Sequence, residues 1–275
     1  MEAPLMPNIA AHLKKTTPHF ILPVVVMPSG VKNTVRLKAA IKRLLKLLPI
    51  AFTQNQRYDR QTLQVIRKVC TPGSNCIDVG CHKGEILDQF IKYAPGGTHF
   101  GYEPIPDLYM DLVKKYAGVP NCHLFDIALS DKAGTSSFNY VVSNPSYSGL
   151  VKRTYDHPNE QDTQITVKTE RLDELIPADR NIDLIKIDVE GGELLVLKGA
   201  VRTLERCKPV VIFEHGLGAS ELYGATPEQV YDLLDGCGLL VSLMGRFIKN
   251  ETALSREEFC RHYYGKLNYY FIAYP

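Results

Sequence analysis

The 275-residue sequence lacks a marked excess of charge of either sign, because 32 basic residues are set against 30 acidic ones for a formal net charge of +2. This balance gives no electrostatic footprint for nucleic acid over the whole molecule, so we expect no nucleic-acid partner. The seven cysteines form no C-x-x-C pair and show no metal-ligand spacing with histidine. We therefore expect reduced thiols in a cytoplasmic protein. Acids and a histidine near the later strand ends, Asp188, Glu190, Glu214 and His215, could gather around a divalent cation. Their spacing does not require one, so no metal is predicted.

The sequence also lacks a long uninterrupted apolar run. The stretch at 20–27 contains Pro23 and is followed by Pro28, which suits neither a signal peptide nor a membrane-spanning helix. Residues 1–54 are predicted to be an N-terminal extension with a basic amphipathic helix at 31–48. That helix could contact an anionic membrane surface or a second copy of the chain. The preferred interpretation is a helix that packs on the domain and exposes its lysines to water.

Residues 55–275 show helical stretches alternating with short apolar runs, which predicts one α/β domain with a mostly parallel sheet. Strands are predicted at 75–79, 98–103, 122–128, 182–189, 209–215, 239–243 and 268–273. Helices are predicted at 60–69, 85–93, 107–116, 193–206 and 227–235. The segment 135–142 is set apart as an insertion, and 143–163 is predicted to be a mobile loop above the sheet because it is polar and rich in turn formers.

The ends of the first three predicted strands indicate a nucleoside cofactor, because ligands of such sheets bind at the carboxyl ends of the strands. Gly80 and Gly84 allow a tight turn that approaches a ligand. Glu103 is placed to accept hydrogen bonds from ribose hydroxyls, and Asp126 from an adenine amino group. The predicted cofactor-binding residues are Asp78, Gly80, Cys81, His82, Gly84, Glu103, Pro104, Asp126, Ile127 and Ala128.

The missing glycine two positions after Gly80 argues against a nicotinamide cofactor, whose sites carry G-x-G-x-x-G. A P-loop is also excluded, since no G-K-[ST] follows the turn. The remaining interpretation is S-adenosylmethionine, bound as a methyl donor.

Four short motifs resemble the FkbM family of S-adenosylmethionine-dependent methyltransferases. They lie at 77–80 (IDVG), 102–104 (YEP), 128–130 (ALS) and 185–193 (IKIDVEGGE), the last followed by LKGA at 197–200. The sequence departs from the family at Cys81 and His82, where alanine and asparagine are frequent, and at Gly192, where alanine is frequent. The resemblance implies a Rossmann-like class I methyltransferase fold whose seven-stranded sheet has an antiparallel last strand. It further implies O-methylation of a sugar, glycolipid or natural-product hydroxyl.

The acceptor is expected at the end of the fourth strand, where a base can take the proton of a hydroxyl. Asp188 is the preferred base, with Lys186 on the same face of the strand and Glu190 just beyond it. His215, at the end of the fifth strand, is an alternative base or a structural histidine. Methylation of nitrogen or carboxyl groups on a peptide or small metabolite, and a non-catalytic cofactor-binding role, are the alternatives in function.

Overall fold

The computed structural model describes residues 53–155 and 159–275. The predicted basic helix at 31–48 lies outside this range, so that helix and its membrane or oligomer contact stay predictions. Within the described residues, no helix is long and apolar enough to cross a membrane.

The described residues form nine α-helices and ten β-strands, numbered here in chain order. The helices are α1 (Gln54–Val69), α2 (Glu85–Tyr93), α3 (Pro106–Lys115), α4 (Leu172–Leu175), α5 (Glu193–Lys198), α6 (Val201–Cys207), α7 (Pro227–Gly236), α8 (Met244–Ile248) and α9 (Arg256–Tyr264). The strands are β1 (Cys76–Val79), β2 (His99–Tyr102), β3 (Cys122–Phe125), β4 (Ile127–Leu129), β5 (Gly134–Val141), β6 (Asp162–Glu170), β7 (Leu184–Ile187), β8 (Val210–Glu214), β9 (Leu240–Ser242) and β10 (Tyr270–Tyr274).

The main sheet has seven strands in the order β3-β2-β1-β7-β8-β10-β9. The neighbours from β3 to β8 pair in parallel, whereas β10 runs antiparallel to both β8 and β9. The strand order reverses between β1 and β7, which places the carboxyl ends of these two strands at the switch point where such sheets bind ligands. The predicted seven-stranded α/β sheet with an antiparallel last strand is confirmed.

The central strands are buried on both faces, as is usual for parallel strands covered by helices. Ile77 and Ile185 belong to one apolar core, and Cys76 and Leu184 to a second. Because side chains alternate along a strand, the residues that follow Ile77 and Ile185 point toward the second core. Each central strand thus directs one polar side chain to that face near its carboxyl end.

Helix α1 begins six residues before its predicted start at residue 60. The Thr53 hydroxyl accepts a hydrogen bond from the backbone N–H of Gln56, and the Gln56 side chain accepts one from the Thr53 N–H. This capping box satisfies two amides that a helix end otherwise leaves free. The earlier start is therefore set by the cap, whereas the prediction followed the apolar spacing.

The predicted helix at 193–206 is divided into α5 and α6 at Gly199. A side chain at Gly199 would place its Cβ 2.1 Å from the backbone oxygen of Ser130. The chain passes so close to another backbone here that only glycine fits, and the helix is interrupted at that contact.

A second, three-stranded sheet has the order β4-β6-β5. The predicted third strand at 122–128 is therefore wrong in its extent, because the chain leaves the main sheet after Phe125 and β4 pairs with β6. The predicted loop at 143–163 was extended too far at its end, since β6 begins at Asp162. Pairing with β5 over eight residues holds β6 in place.

Candidate active site at the carboxyl edge of the main sheet

The loop after β1 lies directly against the end of β7. Gly80 has a φ of +80°, and a Cβ at this position would lie 2.0 Å from the backbone oxygen of Asp188. Gly84 has a φ of +75°, and its Cβ would lie 2.4 Å from the Tyr116 hydroxyl, which donates a hydrogen bond to the Gly84 carbonyl. Both glycines are thus required by contacts within the protein, in addition to the ligand approach predicted for them.

Asp78 is a fully buried carboxylate at the end of β1. Neither of its oxygens has a hydrogen-bond partner among the described residues. Burial raises its pKa to about 7, with Lys186, its register partner on β7, acting in the opposite direction. A buried acid with free acceptor oxygens is suited to an amino group brought by a ligand.

Glu103, directly after β2, joins two loops at the edge of the sheet. One carboxylate oxygen accepts from the backbone N–H of His82 at 2.8 Å, and the other from the N–H of Ile105 at 2.9 Å. Burial raises the pKa of Glu103 to about 7, although the two N–H donors lower it. Each oxygen keeps capacity for a further donor, such as a ribose hydroxyl.

The other predicted cofactor residues are divided between this edge and the second sheet. The Cys81 thiol is buried and donates to the Asp78 carbonyl at 3.2 Å, and Pro104 follows Glu103 and is half-buried. Asp126 is more than half exposed and lies 3.6 Å from Lys168. Ile127 and Ala128 belong to β4, so the second sheet positions these two residues and the preceding Asp126.

An ion pair between the buried Lys186 and the partly exposed Asp188 lies at the carboxyl end of β7. The Lys186 ammonium lies 2.6 Å from Asp188 Oδ2, and the Tyr270 hydroxyl donates to the same oxygen. Burial acts to raise the pKa of Asp188, but Lys186 and the hydrogen-bond donors outweigh it and hold the pKa at about 2. Asp188 is therefore ionised throughout the physiological range.

Two further carboxyl groups converge on Asp188. Asp188, Glu190 and Glu214 each place one carboxyl oxygen within 4.8 Å of the other two. Glu214 shares a hydrogen bond with Asp188, and burial together with the charge of Asp188 raises the pKa of Glu214 well above its usual value. Lys186 and Arg153 already supply positive charge to Asp188 and Glu190, and we assign no metal here. The absence of a metal stays a prediction.

Glu190 occupies the loop between β7 and α5 in a left-handed backbone conformation, with a φ of +57°. Its carboxylate accepts a hydrogen bond from Arg153, which reaches it from the segment between β5 and β6. Glu193, three residues further on, accepts from the N–H groups of Val189 and Gly191 and so braces the same loop. Burial raises the pKa of Glu190 to about 8, and Asp188 adds to this effect.

His215 lies apart from these acids, packed among aromatic rings. Its ring stacks on Tyr263 at 4.7 Å between centroids and on Phe259 at 6.2 Å. Neither ring nitrogen has a partner within the described part of the chain, and burial lowers the His215 pKa to about 4. Because side chains alternate after β8, Glu214 and His215 point to opposite faces of the sheet. We therefore leave His215 out of the proposed catalytic group.

A family model described as the methyltransferase FkbM domain matches residues 78–240, which is more than half of the chain. The match runs from Asp78 in β1 to Leu240 in β9. The chain belongs to the FkbM methyltransferase family. The resemblance stated from the sequence is confirmed, and this FkbM protein is an enzyme that uses S-adenosylmethionine as its methyl donor.

Two curated relatives are similar to the FkbM protein over somewhat more than half of its length. The 2-O-methyltransferase NoeI of Sinorhizobium fredii is 27% identical over 168 residues, which are 57% of this chain and 68% of NoeI. The hexuronic acid methyltransferase AglP of Haloferax volcanii is 28% identical over 162 residues, which are 58% of each chain. The chain thus spans less than two thirds of AglP.

Solved structures are also similar to the FkbM protein, at low sequence identity. The FkbM methyltransferase of Methylobacillus flagellatus has a TM-score of 0.45 and 14% identity, covering 89% of this chain and 60% of that one. Fibrillarin of Aeropyrum pernix, which holds S-adenosyl-L-methionine, has a TM-score of 0.41 and 13% identity, covering 78% and 74%.

Sequence reasoning misses two polar residues of this edge. Tyr270 is the register partner of Glu214 on β10, so the antiparallel pairing of the last strand brings it to Asp188. A tyrosine at the start of the last strand is the available signal. Arg153 lies 37 residues before Glu190 in a segment predicted to be a loop, and no local pattern indicates their contact.

Proposed function

We propose that this FkbM protein is an O-methyltransferase that transfers the methyl group of S-adenosylmethionine to a hydroxyl of a sugar-containing acceptor. The observation that carries the proposal is the group of carboxyls at the ends of β7 and β8, beside the loop after β1. NoeI, a 2-O-methyltransferase, and AglP, a hexuronic acid methyltransferase, support a sugar as the acceptor.

In the proposal the donor lies along the ends of β1, β2 and β4. Asp78 accepts from the amino group of the methionine part, because its free oxygens are otherwise unsatisfied. Glu103 accepts from the ribose hydroxyls, and the region of Asp126 to Ala128 borders the adenine. The close approach at Gly80 places the turn after β1 directly against Asp188. The methionine end of the donor therefore lies close to the Asp188 carboxylate.

The acceptor then lies at the ends of β7 and β8. Methyl transfer requires the acceptor oxygen about 3 Å from the methyl carbon and in line with the breaking bond. Asp188, held ionised by Lys186, is suited to orient the acceptor by accepting a hydrogen bond from a hydroxyl and to attract the positively charged sulfonium. Sugars offer several hydroxyl donors to such a group of acceptors.

Charge at this edge favours a neutral hydroxyl over a carboxylate as the acceptor. Asp188 carries a negative charge at this edge, because its pKa is held at about 2. A carboxylate oxygen placed against Asp188 would meet like charge, whereas a hydroxyl can donate a hydrogen bond to it.

The test is an assay with methyl-tritiated S-adenosylmethionine and a panel of methyl glycosides: a neutral hexoside, a 6-deoxyhexoside and a hexuronide. A lysine-containing peptide and a simple carboxylic acid represent nitrogen and carboxyl acceptors. We expect label in glycosides, with loss of transfer in Asp188→Asn and normal transfer in Asp179→Asn, whose exposed side chain lies away from the site. Label in the peptide or the acid, with none in any glycoside, would overturn the proposal.

A further inference from the structure

An ion pair connects the segment between β5 and β6 to the loop after β7. Arg153 and Glu190 are both largely shielded, with side-chain exposures of 18% and 19%. The Arg153 guanidinium also lies 5.1 Å from the centre of the Tyr147 ring, whose plane is within 7° of that of Tyr155. Arg153 therefore contacts the Tyr147 ring on one side and Glu190 on the other.

The backbone at Glu190 fixes where this carboxyl points. A φ of +57° costs a non-glycine residue about 1 kcal/mol or more. The following Gly191 has a φ of +107°, and a Cβ there would lie 2.7 Å from the backbone of Ala219. The loop has no room to relax without breaking these contacts, so the strained conformation keeps the Glu190 carboxyl close to those of Asp188 and Glu214.

We propose that Glu190 is the residue that removes the acceptor proton, and that Arg153 is the positioning residue that holds the Glu190 carboxyl in place and favours its proton-accepting form. This inference rests on the proposed function. As the acceptor oxygen forms its bond to the methyl carbon, the carbon–sulfur bond breaks and its electron pair stays on sulfur, leaving a neutral thioether. The acceptor proton goes to the Glu190 carboxylate and then to water, which reaches the partly exposed side chain.

The neighbouring acids are less suited to this step. Asp188 already accepts from Lys186 and Tyr270, and its pKa of about 2 makes it a weak base. Glu214 holds its proton, because burial and the charge of Asp188 raise its pKa well above the usual value. Glu190, with a pKa of about 8, is matched to proton transfer near neutral pH.

The protonation of Glu190 depends on charges from every element around it. Burial, Asp188 directly after β7 and Glu193 of α5 raise its pKa, whereas Arg153 and Lys186 lower it. The other titratable groups that interact with it are Glu214 of β8, Tyr270 of β10 and Tyr223 of the 3₁₀ turn Ser220–Tyr223. Among these, only Arg153 comes from the segment between β5 and β6, so its replacement changes the charge at Glu190 without altering the main sheet.

The test is the titration of Glu190 by carbon NMR in protein labelled at the glutamate carboxyl, with Glu190→Gln used to identify the resonance. In Arg153→Met we expect the Glu190 pKa to rise by about one to two units, since an opposite charge at this range shifts a carboxyl by that amount. Lys152→Met is the matched control: Lys152 is the adjacent cation and pairs instead with Asp162 of β6 at 2.7 Å. We expect it to leave Glu190 unchanged.

Activity gives the second measurement. Glu190→Gln should lower kcat by a factor of about 10² to 10⁴ with the KM for S-adenosylmethionine within a few-fold of normal. In Arg153→Met the rising limb of the pH profile of kcat should move to higher pH together with the NMR titration. An unchanged Glu190 titration in Arg153→Met, or full kcat in Glu190→Gln, would overturn the inference.

The NMR titration needs no acceptor, so the two proposals fail in different ways. If wild-type protein methylates none of the glycosides but Arg153→Met shifts Glu190, the proposed acceptor is wrong while the Arg153–Glu190 coupling is upheld. If glycosides are methylated and Glu190→Gln keeps full kcat, the sugar methyltransferase proposal stands and the role of Glu190 is refuted.

Discussion

Replacement of Asp78 by asparagine should stabilise the protein and at the same time weaken donor binding. Asp78 is fully buried, and neither oxygen has a partner among the residues described. Burial raises its pKa from 3.8 to about 7. This rise in the pKa of about three means that an ionised Asp78 lowers the free energy of unfolding by about 4 kcal/mol at pH 8. The buried amide of asparagine offsets part of this gain, and we expect a net increase of about 2 to 4 kcal/mol.

The sign of the effect follows from the direction of the shift. A carboxyl whose pKa is raised by folding destabilises the protein increasingly as the pH rises from its unfolded value of 3.8 to its folded value of about 7. The advantage of Asp78→Asn in the free energy of unfolding should therefore be largest at pH 8, smaller at pH 5 and nearly absent below pH 4. Urea denaturation of both proteins at these pH values measures it.

Asp78→Asn should bind the methyl donor more weakly than the wild-type protein does. Loss of a charge-assisted hydrogen bond to the amino group of S-adenosylmethionine costs about 1.5 to 3 kcal/mol, which is a factor of about 10 to 150 in Kd by calorimetry. Asp111→Asn, at a side chain that is 75% exposed, is the control and should change neither quantity appreciably. A less stable Asp78→Asn protein at pH 8, or one that binds the donor normally, would refute the reasoning.

Three further substitutions test other parts of the site. Gly80→Ala should lower the free energy of unfolding by about 3 kcal/mol or more, measured by urea denaturation, because its Cβ would collide with the backbone oxygen of Asp188. His215→Phe should keep methyl transfer in the tritium assay, since the ring packs among aromatic side chains away from the acids; loss of kcat without loss of stability would contradict this. Glu103→Gln should weaken donor binding and destabilise the loop in calorimetry and denaturation, because an amide NH₂ would then oppose the N–H of His82 or Ile105; unchanged Kd would remove Glu103 from the donor site.

The main sheet can be predicted from sequence because its strands are buried on both faces. Strands such as β1 and β7 are short apolar runs that end in an acid or glycine, and they stand out against polar flanks. The family resemblance predicted the antiparallel last strand, β10, whose pairing between β8 and β9 has no local signal.

The second sheet was difficult to predict because its stability comes from long-range pairing. In β6, Ile165, Val167 and Thr169 alternate with the exposed Thr166 and Lys168. This period of two is a strand signal, but it follows a polar stretch of turn formers, and no strand is predicted there from the sequence. Pairing with β5 and β4 decides the outcome, and neither contact is visible in the local sequence.

The residues of the candidate site that lie at strand ends could be predicted from the sequence. Asp78, Glu103 and Asp188 follow from strand ends and the family motifs. Arg153 does not, because it reaches Glu190 only after the chain between β5 and β6 has folded back. The position of His215 was also beyond sequence reasoning, since the faces of β8 can be assigned only once the helix α9 with Phe259 is known to cover one of them.

The measurement that tests the central claim most directly is the position of the transferred methyl carbon. S-adenosylmethionine labelled with ¹³C in its methyl group would be incubated with the protein and the best glycoside of the panel, and the product analysed by heteronuclear correlation NMR. The account predicts one labelled methyl, correlated through an ether oxygen to a carbon of the sugar ring. A labelled methyl attached to nitrogen or to a carboxyl oxygen would contradict it.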